Sequence, residues 1–139
     1  MEEYKKIKGN IDENGFPYII IDIINSKNKR VIEKAKAFID TCASGTHIKK
    51  GIIKSLLLEE KGNTNFYHAE GENINTNLYK VDLFFNEKIR VPDIKVFILH
   101  QEMFDCDILI GQNILKHCNF IYDSVQKSFS FHLFPLQEF

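Results

Sequence analysis

The sequence predicts an all-β domain with one or two short helices, and three observations lead there. Short apolar runs recur along the chain, as in Tyr18 to Ile24, Ala35 to Ile39 and Val91 to Leu99. Polar clusters such as Asn25-Ser26-Lys27-Asn28-Lys29-Arg30 separate them and have the composition of hairpin turns. Stretches with helical spacing are few and brief. With 44% of residues hydrophobic and 27% charged, there is apolar material for a core and charge for its surface. The 139 residues set the expectation of a single domain over 1–139, with its core at about 16–134.

In chain order, Ile19 to Ile24 and Ala35 to Ile39 read as two antiparallel strands joined by the polar run 25–30. Between Lys49 and Glu59, Ile52, Ile53, Leu56 and Leu57 fall on one side of a short amphipathic helix. Asn63 to Ala69 reads as extended, and the polar residues around Gly71 read as a turn. Leu78 to Phe85 returns as a strand with both faces occupied, which completes a hairpin with a polar tip. Pro92 stands near the start of the next strand, where a missing amide donor is tolerated. Asp107 to Gly111 reads as a buried strand ended by glycine, and Asn113 to His117 as about one helical turn. Asn119 to Asp123 and Ser128 to Phe134 form a last hairpin across Ser124-Val125-Gln126-Lys127.

Charge and composition exclude several partners. The net charge of −1 and the scattered Lys and Arg offer no basic stripe to a nucleic acid. The apolar runs are too short for a membrane-spanning helix, and Met1 to Lys6 lacks a signal-peptide core. Three cysteines cannot all pair within one chain, so a reducing cytoplasm is the expected location. Cys106, His117 and Cys118 lack zinc-site spacing, so no metal or other cofactor is expected and they read as packing residues.

The chemistry-bearing segment is Phe38-Ile39-Asp40-Thr41-Cys42-Ala43-Ser44, an acid at the end of an apolar strand followed by small and hydroxyl-bearing residues. A carboxylate there must be satisfied by hydrogen bonds or share a proton, and Thr41 and Ser44 are the candidate donors. An Asp that merely shapes a turn explains this segment equally well when it is taken alone. The second segment, Asp105 to Leu115, changes the balance because Leu109-Ile110-Gly111 follows the polar-tipped hairpin in order.

Together these segments resemble the retropepsin-like aspartic peptidases, in which an apolar pair precedes Asp-Thr/Ser-Gly-Ala-Ser, a flap hairpin follows, and an apolar-apolar-Gly motif opens a short helix. The resemblance covers nearly everything from Tyr18 to Phe131 and implies an acid-protease half-barrel. It also implies that Asp40 is the catalytic residue and that Thr41, Cys42, Ala43 and Ser44 support the active-site loop. Ala69, Glu70, Gly71 and Glu72 would form the flap, and Leu109, Ile110 and Gly111 would pack the loop. With one motif per chain, the resemblance implies a homodimer that pairs two Asp40 carboxylates around a water and hydrolyses a peptide or protein substrate. Thr41 would then lock the two loops together. Phe129, Phe131, Leu133 and Phe134 would serve an intersubunit sheet or the core of one chain.

The family keeps glycine at the third motif position, where this chain has Cys42. That departure motivates an alternative reading: a peptide-binding or dimerisation module with the same fold and impaired catalysis. A thiol nucleophile at Cys42 with His47 as its base is a further rival, although nearness in sequence alone does not supply the spatial arrangement.

Overall fold

The computed structural model describes residues 5–67, 73–100 and 105–133. Ten strands and two short helices follow one another: β1 (Lys5–Ile11), β2 (Pro17–Ile24), β3 (Val31–Ile39), β4 (Thr46–Ile48), α1 (Lys50–Ser55), β5 (Gly62–Tyr67), β6 (Asn73–Asn86), β7 (Ile89–Ile98), β8 (Ile108–Ile110), α2 (Gln112–Leu115), β9 (Cys118–Asp123) and β10 (Ser128–Leu133). The strands lie in the order β5-β6-β7-β4-β8-β3-β2-β1-β10-β9, and an extra β2–β6 pairing closes β6-β7-β4-β8-β3-β2 into a six-stranded barrel. The expected all-β class with two short helices is therefore what the chain adopts. No helix among the described residues is long and apolar enough to cross a membrane.

Side-chain alternation explains why the barrel closes. In β2, Ile19, Ile21 and Ile23 point inward with at most 2% exposure, whereas Ile20 between them is 46% exposed. Tyr79, Val81, Leu83 and Phe85 of β6 and Ile94 and Val96 of β7 meet them in the same core. Phe129, Phe131 and Leu133 of β10 are buried there too, so core packing accounts for these three, and Phe134 lies outside the described residues. At about 25 cal/mol per Å² of apolar surface, each buried Ile or Leu contributes roughly 1.5–3 kcal/mol.

Two strands were not anticipated. β1 is mostly lysine and glycine, yet it pairs with β10, and a Cβ on Gly9 would lie 2.6 Å from the Phe129 ring. β4 has only three residues, and its position comes from long-range pairing with β7 and β8. Helix α1 ends earlier than its apolar spacing suggests because Leu57 takes a positive φ of 51°. The carbonyl of Leu56 is satisfied from outside the helix by the side-chain amides of Asn25 and Asn28, each at 2.9 Å.

Candidate active site

Asp40 stands immediately after β3, where that strand runs parallel to β8 in the register Ile39↔Ile110. Its backbone N–H donates to the Ile110 carbonyl at 2.9 Å, which carries the strand pairing one residue further. The carboxylate Oδ1 accepts the backbone N–H of Cys42 at 2.9 Å. This donor is main-chain, in contrast to the Thr41 and Ser44 hydroxyls expected from sequence. Thr41, Cys42 and Ser44 are exposed, and Cys42 is a free thiol.

The loop after Asp40 is held by the start of α2. Gln112 N–H donates to the Ala43 carbonyl at 2.7 Å, Asn113 N–H to that of Ser44 at 3.2 Å, and the Gln112 side-chain amide to that of Thr41 at 2.8 Å. Fully buried Thr46 joins the same network: its hydroxyl donates to Asn113 Oδ1 at 2.7 Å and accepts the Gly111 N–H at 3.3 Å. Leu109 and Ile110 are buried in β8 beside β3, and Gly111 follows against the loop. A Cβ on Gly111 would run into the Gly45 carbonyl and lie 2.7 Å from that of Ala43, so only glycine lets the two segments touch. Sequence reading missed Gly45, Thr46, Gln112 and Asn113. The available signal was the polar Gln-Asn pair directly after an apolar-apolar-Gly run.

Beside Asp40 lies a hollow of about 150 Å³ lined by Phe16, Phe38, Ile39, Asp40 and Leu109. Phe16 comes from the β1–β2 turn, which Asp12 shapes by accepting the N–H groups of Asn14 and Phe16 on Oδ1, both at 2.9 Å. Gly15 supplies the positive φ of 87° that the turn needs, and the Tyr122 hydroxyl of β9 donates to its carbonyl at 2.8 Å. Phe16 meets Phe38 edge-on with centroids 6.2 Å apart, so the hollow has an aromatic wall set by a turn distant in sequence.

Comparison with known proteins bears on this arrangement of an acid-bearing loop against an apolar-apolar-Gly segment. The family model described as gag-polyprotein putative aspartyl protease matches residues 31–117, more than half of the chain. The chain belongs to this aspartyl protease family. No curated protein matches it. Among solved structures, the crystal structure of a retropepsin-like aspartic protease from Rickettsia conorii is similar, with 19% identity and a TM-score of 0.64. The match covers 96% of this chain and 94% of that one, and it shows the shared retropepsin-like fold.

Other residues singled out in this member of the aspartyl protease family fall as follows. Ala69, Glu70, Gly71 and Glu72 lie outside the described residues; the strands on either side of them pair from Gly62↔Leu78 to Tyr67↔Asn73. Cys106 is buried and its thiol is pushed up to about 11 by desolvation, while burial pushes Cys118 up to about 12. At both positions burial favours the neutral thiol over the nucleophilic thiolate. Among the described residues the non-glycine positions with positive φ are Lys29, Lys34, Leu57, Asp93 and Lys127, and Cys42 is not one of them. A side chain at the third motif position therefore carries no left-handed backbone strain.

His47 of β4 packs beside Phe97 with ring centroids 5.8 Å apart. Burial lowers its pKa from the ordinary imidazole value, opposed by a hydrogen bond with the Gly45 backbone and the charge of Asp40. Below pH about 6.5 the unfolded chain binds this proton before the folded chain does, so the contribution is present above that pH and lost as pH falls. Chemical unfolding between pH 7 and 5 is expected to show falling stability, with a shallower slope in His47→Gln. An unchanged slope would remove His47 as the cause.

Proposed function

We propose that the protein is a homodimeric aspartic endopeptidase in which the Asp40 carboxylates of two copies share one active site. The observation that carries this reading is the Asp40 loop. A carboxylate held by the Cys42 N–H lies next to an exposed loop face, and its backbone is locked by β8 and α2. One chain supplies one such carboxylate, and a two-fold axis would supply the second.

Hydrolysis then needs one carboxylate protonated and the other ionised. The ionised group takes a proton from a water held between the pair, and that water attacks the peptide carbonyl carbon. The protonated group donates to the carbonyl oxygen, giving a tetrahedral diol. Collapse of the diol breaks the C–N bond: the nitrogen takes the proton that the first carboxylate took from water, one diol hydroxyl returns its proton to the carboxylate that had donated to the carbonyl oxygen, and the pair is left with one proton as at the start. No covalent intermediate is formed. The apolar hollow beside Asp40 suits a bulky hydrophobic side chain next to the bond cut. Residues 69–72, between β5 and β6, would cover an extended substrate, and Thr41 would brace the paired loops.

A non-catalytic module has Cys42 as its motive, and the ordinary backbone at that position weakens it. Sedimentation equilibrium combined with cleavage of a denatured protein at mildly acid pH tests the proposal. A dimer that cleaves is expected. A chain that stays monomeric at high micromolar concentration and cleaves nothing would sink it.

A further inference from the structure

Away from the Asp40 hollow, a larger groove of about 670 Å³ opens between the β2–β3 turn, the segment after α1, and the outer face of β6 and β7. Its walls are fastened. Asn25 and Asn28 tie the turn to the Leu56 carbonyl, and Lys61 N–H donates to the Leu78 carbonyl at 2.7 Å. Leu58 and Leu78 give it an apolar floor, and Lys27, Lys61, Lys80 and Lys95 give it a cationic rim.

The rim is short of counter-charge. Glu59 is shared between Lys27 at 3.3 Å and Lys61 at 3.8 Å. Asp82 is 2% exposed and already committed to Arg90 and to the Asp93 N–H, which leaves Asp93 as the further carboxylate of the wall. Lys80 and Lys95 face each other directly across the β6–β7 ladder, where like charges are destabilising, and neither forms an ion pair among the described residues.

The groove is also continuous with the candidate active site along one face of the sheet. Tyr79, Val81 and Val96 point into the core, so Leu78 and Lys80 on β6 and Lys95 and Phe97 on β7 share the outer face. Leu78 is paired with Phe97, whose ring packs beside His47 and would meet a Cβ on Gly45 at 2.8 Å. The registers carry this face onward from Phe97 to His47 and from His47 to Leu109, which lines the Asp40 hollow.

We infer that this groove binds an extended acidic segment of the protein substrate, several residues away from the bond that is cut. The word substrate rests on the peptidase reading above, whereas the acidic-peptide site does not. Alternating acidic and apolar side chains match a cationic rim over a leucine floor. A polynucleotide would need a wider basic surface than a chain of net charge −1 offers.

The test uses the full chain carrying Asp40→Asn, so that binding is read without cleavage. Fluorescence anisotropy with a labelled decapeptide of alternating Glu and Leu is expected to show binding that weakens with salt. Replacing Glu by Gln in the peptide, or making Lys80→Gln with Lys95→Gln in the protein, is expected to raise Kd by about tenfold or more. The unfolding midpoint should hold or rise as the lysine repulsion is removed. Binding indifferent to both changes would overturn the inference, as would tighter, equally lysine-dependent binding of a ten-nucleotide oligo-dT. In the Asp40 protein, the lysine variant should still cleave a short neutral peptide while losing about tenfold in kcat/KM on one with an acidic extension. Peptide binding by a chain that cleaves nothing would strike down the peptidase reading and the substrate assignment together, leaving an acidic-peptide site.

Discussion

Asp40→Asn is expected to lower peptide-bond cleavage by at least about 10³-fold while the protein still folds and associates, because amide and carboxylate are nearly the same size. The asparagine side chain still accepts the Cys42 N–H through its oxygen, so the loop geometry described for Oδ1 survives. What disappears is the group that takes a proton from water in the proposed mechanism. If two Asp40 carboxylates share one proton as proposed, activity in the unmodified protein should follow a bell-shaped pH profile, limited on the acid side by loss of the base and on the alkaline side by loss of the shared proton. Turnover that survives Asp40→Asn and rises steadily with pH would remove the aspartic mechanism, and abolition by thiol alkylation in the same assay would direct attention to Cys42.

Gly111→Ala is expected to produce the largest loss of stability of any single-methyl change near the site. The added carbon meets the backbone carbonyls of Gly45 and Ala43, neither of which can rotate away as a side chain could. Overpacking of this kind costs about 3 kcal/mol, and the displaced segment also carries the N–H bonds from Gln112 and Asn113 to the loop. A midpoint lowered by roughly 10 °C in thermal unfolding, with activity lost even below the transition, is the expected pattern. Gly51→Ala, whose added methyl meets nothing within 4 Å, is the control and should be neutral or slightly stabilising. Equal stability of the two variants would show that the 43–45 loop is not pinned by Gly111.

Much of this arrangement was legible in the sequence because it is written in local patterns. The apolar run of β2, the alternation in β6, the polar turn at 25–30 and the apolar-apolar-Gly run at 109–111 announce themselves within a few residues. β1 and β4 do not, since a lysine-rich segment and a three-residue strand acquire their conformation from partners far along the chain. The same limit hid parts of the candidate site. Phe16 reaches the Asp40 hollow only because Asp12 and Tyr122 fix a turn, and Thr46 matters only once Asn113 and Gly111 come to it. Resemblance supplied the role proposed for Asp40, but it could not reveal that a backbone amide would be its hydrogen-bond partner.

The bond from Asp40 N–H to the Ile110 carbonyl spans half the length of the chain, and it has a consequence for synthesis. On the ribosome, Asp40 emerges long before Ile110, Gly111, Gln112 and Asn113 exist to receive it. Closing so large a loop costs more chain entropy than pairing neighbouring strands, so this bond is expected to form after the intervening barrel strands have paired. A nascent chain that has not yet delivered β8 and α2 therefore carries its acidic motif without the clamp that shapes it.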